Sequence, residues 1–142
     1  MRTILIAHGD VSYAGRLAAE LRADGYRVIC CPGPWPPVTI CIRCDRGYCP
    51  LTEDADLMIY DPELTALDGM GHRYNLAVDS ARALPDVPML LAWSPAQVPD
   101  TGTLRAIDTQ TPYVHVAAPQ PAVFRRQVHD FLAPTFAPAR QV

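Results

Sequence analysis

The sequence predicts an α/β fold: a three-layer, doubly wound sandwich around a parallel five-stranded sheet of order 2-1-3-4-5. Three observations carry that expectation. Five short apolar runs stop at polar residues or proline, as buried parallel strands do. Between most of them lie segments with apolar residues at helical spacing. The 142 residues, 49% of them hydrophobic, suit one core and leave little room for a second.

In chain order, the apolar run 4–7 in RTILIAHGD is the first strand and ends in a polar turn. SYAGRLAAELRADGY puts Ala14, Leu17, Ala18 and Leu21 on one helical face. Asp10 or Ser12 can cap its start, and Gly25 fits just past its end. YRVICC is the second strand, and this strand–helix–strand opening favours a right-handed crossover. ADLMIYDPEL is the third strand, stopped at Asp61-Pro62. HRYNLAVDSARAL carries Tyr74, Ala77, Val78, Ala81 and Leu84 at helical spacing and reads as the next helix. GMGH at 69–72 lacks phosphate-loop spacing and reads as a flexible entrance to that helix. VPMLLAWSP is the fourth strand, TGTLRAID has room only for a short helix, and TPYVHVAAP is the fifth strand. PAVFRRQVHDFL closes the fold with Phe124, Val128, Phe131 and Leu132 inward. One domain over residues 1–132 is expected, followed by a flexible tail over 133–142.

A net charge of −3 gives no basic surplus for sequence-independent nucleic-acid binding, and the one adjacent basic pair, Arg125-Arg126, reads as a solvated helix face. No apolar run nears the ~20 residues that span a bilayer, and no signal-peptide pattern opens the chain. The expected location is cytoplasmic, with no nucleic-acid or membrane partner. All twelve basic residues are arginine, which excludes any mechanism built on a lysine amine.

All five cysteines lie in CCPGPWPPVTICIRCDRGYCP, residues 30–50. Pro32, Pro34, Pro36 and Pro37 fall within six residues, so no helix starts there. An irregular insertion over 32–54 is expected where a helix would connect strands two and three. Such a connection inside a small domain calls for something to pin it. In a reducing compartment, clustered thiols point to metal ligation or redox chemistry over permanent disulfides. The candidate set is Cys31, Cys41, Cys44 and Cys49, with Cys30 as the alternative ligand. Four thiolates suit zinc or an iron–sulfur cluster. Neighbours in a strand face opposite ways, so one of Cys30 and Cys31 is expected to ligate and the other, Cys30, to pack in the core. Arg43 and Arg46 lie beside the thiols in sequence and favour thiolates. A disulfide or thiol switch through Cys41, Cys44 and Cys49 is the alternative, and reduced packing cysteines a third reading.

The strand and helix order from Arg2 to Leu132, with Asp61 at the end of strand three, resembles the receiver domain of bacterial response regulators. That resemblance implies a flavodoxin-like fold with a phosphoacceptor aspartate at Asp61. It also implies a magnesium-binding acidic pair after strand one, a hydroxyl after strand four and a Lys-Pro after strand five. Here the acidic pair falls on His8-Gly9, leaving Asp10; the hydroxyl position falls on Trp93, with Ser94 next; the Lys-Pro falls on Ala118-Pro119. The site formed by Asp61, Asp10, His8 and Ser94 is thus a degenerate receiver site. The expected protein is a non-enzymatic, receiver-like module that binds protein partners and holds a metal or cluster in its cysteine segment. The resemblance implies a homodimer through the face from the fourth strand to the closing helix. A phosphoaccepting regulator using Asp61 is the competing reading, and a flavodoxin-like enzyme with a thiol nucleophile ranks behind it.

Overall fold

The computed structural model describes residues 1–31, 49–99, 102 and 114–133. Its elements are β1 (Thr3–Ala7), α1 (Val11–Ala23), β2 (Arg27–Cys31), α2 (Pro50–Glu53), β3 (Leu57–Tyr60), β4 (Thr65–Leu67), β5 (Arg73–Asn75), α3 (Leu76–Ala83), β6 (Met89–Leu91), β7 (Val114–Val116) and α4 (Pro121–Phe131). Five strands form one parallel sheet in the order β2-β1-β3-β6-β7, the predicted order once the two small strands β4 and β5 are set aside.

Alternation along the strands divides the core into two layers. Ile4, Ile6, Val28, Leu57, Ile59 and Leu90 face one way, where α1 and α4 cover them with Leu17, Leu21, Phe124 and Val128. Leu5, Ala7, Met58, Tyr60, Met89 and Leu91 face the other way, against Leu76, Ala77 and Ala81 of α3 and Ala66 of β4. Full burial of each large aliphatic chain is worth roughly 1.5–3 kcal/mol, so the central strands, buried on both faces, anchor the strand ends.

Helix α1 is bounded as the sequence suggests. The Asp10 carboxylate accepts the N–H of Tyr13 at 3.1 Å. At the other end Gly25 sits at φ +95°, and the N–H groups of Gly25 and Tyr26 donate to Arg22 and Leu21 carbonyls at 3.0 and 3.2 Å. These two bonds make a Schellman end, which needs a residue without a Cβ at Gly25. Arg125 of α4 pairs with Asp24 at this end, its Nε donating at 2.8 Å. The pair tethers α4 to α1 while Arg125 stays on the solvated face of α4 that the sequence suggests.

Two further expectations need correction. Residues 73–75 are not helical: they form β5, paired antiparallel with β4 through Thr65↔Asn75 and Leu67↔Arg73. Asp68 draws the chain into this hairpin. Its Oδ1 accepts the N–H groups of Met70 and His72 at 2.9 Å each, and its Oδ2 accepts the Tyr74 hydroxyl at 3.1 Å. Gly71 takes φ +83° in the turn, and Asn75 then starts α3 by accepting the Val78 N–H at 3.0 Å. Local side-chain capture of backbone donors outweighs the helical spacing of Tyr74. The second correction concerns Cys30, which is exposed and not packed in the core; Cys31 packs against the second core layer. Beta strand β2 is an edge strand, so its two faces are unevenly covered. Within the 32–54 insertion, α2 is one short helix begun by Pro50. Residues 32–48, with Cys41 and Cys44, lie outside the described residues, as do most of TGTLRAID and the 134–142 tail.

Candidate functional site

The C-terminal ends of β1, β3 and β6 bring His8, Gly9, Asp10, Asp61, Trp93 and Ser94 to one edge of the sheet. What the sequence did not disclose is how completely their polar atoms are paired.

Asp61 is 3% exposed. Its Oδ1 accepts the Glu63 N–H and the Gln97 side-chain amide, each at 2.9 Å. Its Oδ2 accepts the Gly9 N–H at 3.1 Å. Three neutral donors therefore hold the carboxylate. A Cβ on Gly9 would sit 3.2 Å from that Oδ2, so glycine is what lets the β1 turn approach so closely.

His8 is fully buried. The Asp10 N–H donates to its Nδ1 at 3.0 Å, so Nδ1 is an acceptor and the ring proton resides on Nε2. Nε2 donates to the Ala92 carbonyl at 2.8 Å, bridging the ends of β1 and β6. Nδ1 lies 3.7 Å from Asp61 Oδ2, but with its lone pair occupied this approach is not an ion pair. His8 has no nitrogen left for a metal.

Gln97 is the residue that sequence reasoning missed. Its Nε2 donates to Asp61, while its Oε1 accepts the Ser94 N–H at 2.7 Å. The turn closes with the Gln97 N–H on the Ser94 carbonyl at 3.0 Å. A neutral amide thus spans the gap between the β3 and β6 ends. Only the loop geometry reveals this, because Gln97 belongs to no motif.

Asp10 does not point its charge at Asp61; it caps α1. Its carboxyl is held below the usual range by the Tyr13 N–H first, with the neighbouring Ser94 hydroxyl second. That hydroxyl is buried yet has no partner at full hydrogen-bond geometry, and neither has the buried Trp93 Nε1. At the Lys-Pro position, the Ala118 N–H donates to Gln127 Oε1 at 2.7 Å, and Gln127 Nε2 donates to the Val116 carbonyl at 3.1 Å. A glutamine of α4 thus fastens the backbone after β7.

A magnesium ion of the receiver kind does not fit these residues. Among the described residues, no three His, Cys, Asp or Glu side chains converge as a cation site. Asp10 is engaged as a cap and Asp61 by three donors.

Of the cysteine set, Cys31 ends β2, where its carbonyl accepts the His8 N–H at 3.1 Å. Cys49 precedes α2, its carbonyl accepting the Thr52 N–H at 3.0 Å and the Thr52 hydroxyl at 2.7 Å. Both are partly buried.

No protein-family model matches the sequence, and the comparison with curated proteins gives no match. Solved structures do match. The non-phosphorylated HemR receiver domain from Leptospira biflexa is 20% identical with a TM-score of 0.60, over 94% of this chain and 95% of that one. A response regulator receiver domain protein from Clostridium thermocellum is 14% identical with a TM-score of 0.62, over 93% and 94%. The response regulator TrrA from Thermotoga maritima, in complex with Mg²⁺ and BeF, is 18% identical with a TM-score of 0.58, over 93% and 100%. The chain has the α/β fold of these response-regulator receiver domains, at 14–20% sequence identity.

Proposed function

We propose that the protein is a receiver-like regulatory module that binds a protein partner without phosphotransfer at Asp61. One observation carries this reading: both Asp61 oxygens are held by the Gly9 and Glu63 N–H groups and the Gln97 amide. Phosphoryl transfer to a carboxylate needs a cation bridging its oxygens to phosphate and positive charge to balance the product. Here the neighbours are an imidazole with both nitrogens engaged, a capping aspartate and a neutral amide. The test is incubation with acetyl phosphate and Mg²⁺, followed by intact mass measurement beside Asp61→Asn. The expected spectrum shows no phosphoryl adduct. An adduct that disappears in Asp61→Asn would replace this reading with the phosphoaccepting regulator.

The cysteine segment supplies the second part of the reading, as a thiolate site for zinc or an iron–sulfur cluster held by Cys31, Cys41, Cys44 and Cys49. Its support is the concentration of every thiol in one segment, together with the partial burial of Cys31 and Cys49 at the segment's two ends. Metal and sulfide analysis of protein purified without oxygen decides it. Zinc without colour marks a staple, iron with sulfide a cluster. If reduced protein lacks both, the thiol switch through Cys41, Cys44 and Cys49 takes its place.

The partner face of this reading runs from β6 to α4, where Val116 and Val123 are exposed. A second copy of the chain is the proposed occupant, tested by sedimentation of the protein against Val123→Glu. Among the described residues, no helix is long and apolar enough to cross a membrane.

A further inference from the structure

We propose that Gln127 closes the outer edge of the sheet: its carboxamide takes the hydrogen-bonding place of a sixth strand beside β7 and keeps that edge from pairing with a second copy of the chain. Among the described residues β7 ends the sheet, with β6 on one side and no strand on the other. In a parallel sheet, the backbone groups of successive residues turn to opposite sides of the strand. The Ala117 N–H donates to the Leu91 carbonyl at 2.8 Å, so Ala117 is turned towards β6. The backbone groups of Val116 and Ala118 therefore point outward.

Gln127 answers two of these outward groups. Its Oε1 accepts the Ala118 N–H at 2.7 Å, and its Nε2 donates to the Val116 carbonyl at 3.1 Å. A sixth parallel strand would place one residue opposite Ala117, its N–H on the Val116 carbonyl and its C=O on the Ala118 N–H. One primary amide supplies the same donor and the same acceptor, and the two partners fix which end of the amide is which. The side chain is held where it must be. Phe124, Val128 and Phe131 fix α4 to the core, and the Phe131 ring lies 5.0 Å from that of His115, so the flank of α4 runs beside β7.

An open strand edge is a template for another strand, and folded proteins blunt it with charge, proline or a cover. The sequence Val-His-Val-Ala-Ala over 114–118 contains no Asp, Glu, Lys or Arg, and Val116 is 47% exposed. Pro119 bounds the strand but leaves β7 itself uncharged, and its two valines favour pairing. The Gln127 amide is then the cover. With that amide removed, the strand that fits the edge is β7 of a second copy, antiparallel across a two-fold axis, because such a contact is self-complementary. The inference goes beyond the partner face proposed above and does not rest on it: that face is read at Val123, the edge at Gln127.

The experiment compares ¹⁵N-labelled full chain with Gln127→Ala and Gln127→Glu. Alanine adds no apolar bulk to the surface and is the best helix former, so α4 is kept. In dilute Gln127→Ala the Ala118 amide should exchange with solvent about fivefold faster than in the parent, the usual scale of one lost hydrogen bond. At higher concentration the variant should sediment as a larger species than the parent, with a Kd of about 1 mM, the weak pairing that three strand residues allow. The Val116 and Ala118 amide signals should shift as that species forms. Gln127→Glu keeps an acceptor for the Ala118 N–H and brings a charge to the edge, so it should sediment as the parent does. The proposal is overturned if Ala118 exchange is unchanged in Gln127→Ala, or if that variant sediments as the parent at every concentration. It is equally overturned if the larger species forms without moving the Val116 and Ala118 signals, or if Gln127→Glu associates as readily as Gln127→Ala.

Discussion

Two halves of one sheet edge behave differently. At the β1/β3 end, the polar side-chain atoms of His8 and Asp61 are engaged by fixed neighbours, and a Gln97 amide closes the gap to β6. At the β6/β7 end, a few residues away, a cleft remains, the buried Trp93 Nε1 finds no partner, and the Ser94 hydroxyl has only the Asp10 carboxylate beside it. The first place is a structural joint, where hydrogen bonds between fixed neighbours set the geometry of the strand ends.

Substitutions break the contrast in a defined order. Asp61→Ala strands the N–H groups of Gly9 and Glu63 and the Gln97 amide; urea unfolding should show a loss of about 2–3 kcal/mol, tempered where water reaches those donors. Gln97→Ala removes a bond to a carboxylate and the acceptor for Ser94 N–H, for an expected loss of about 1–2 kcal/mol. Gly9→Ala places a methyl group 3.2 Å from Asp61 Oδ2, so the turn must give way, with a cost of about 1 kcal/mol. On the other side the effect is smaller: Ser94→Ala removes a buried hydroxyl that has only the Asp10 carboxylate beside it, and stability should fall by less than in Gln97→Ala. A loss comparable with that of Gln97→Ala would erase the distinction between the two halves.

Acid gives the smallest and most diffuse effect. The Asp10 carboxyl is lowered by the Tyr13 N–H and then the Ser94 hydroxyl, and the Asp24 carboxyl by its bond to Arg125. At Asp68, burial pushes upward, but the N–H groups of His72 and Met70, with the Tyr74 hydroxyl and His72 ring, outweigh it. Each folded-state value lies below the unfolded one, so the folded protein binds fewer protons in this range. The stability these groups contribute is complete above the ordinary value of 3.8 and is lost as pH falls through their lowered values. Asp10→Asn keeps a capping oxygen but not the titration, so the acid limb of its urea midpoint against pH should be flatter than the parent's.

Much of the fold was legible because buried parallel strands are continuous apolar runs, and the Asp10 cap and Gly25 end of α1 are local signals. Asp61 was legible from its place at a strand end. Gln97 was not, because its role depends on where a loop after β6 returns to the sheet. The β4–β5 hairpin was hidden by the helical spacing of Tyr74, Ala77 and Ala81; what decided the structure was Asp68, whose short side chain collects the turn's donors. Strand alternation correctly separated Cys30 from Cys31, but alternation alone does not tell which side of an edge strand is covered.

The central claim is that Asp61 is held by donors and is not waiting for a cation. The sign of the stability change in Asp61→Asn tests it most directly. A carboxylate kept in an acidic cluster gains stability when neutralised, because like charges no longer repel. At Asp61 either orientation of the new amide turns an N–H₂ group towards a donor, the Gly9 N–H on one side or the Glu63 N–H and Gln97 amide on the other. Urea unfolding at neutral pH without Mg²⁺ should therefore show Asp61→Asn less stable than the parent by about 1–2 kcal/mol. A gain in stability, reversed in the parent by added Mg²⁺, would contradict the account.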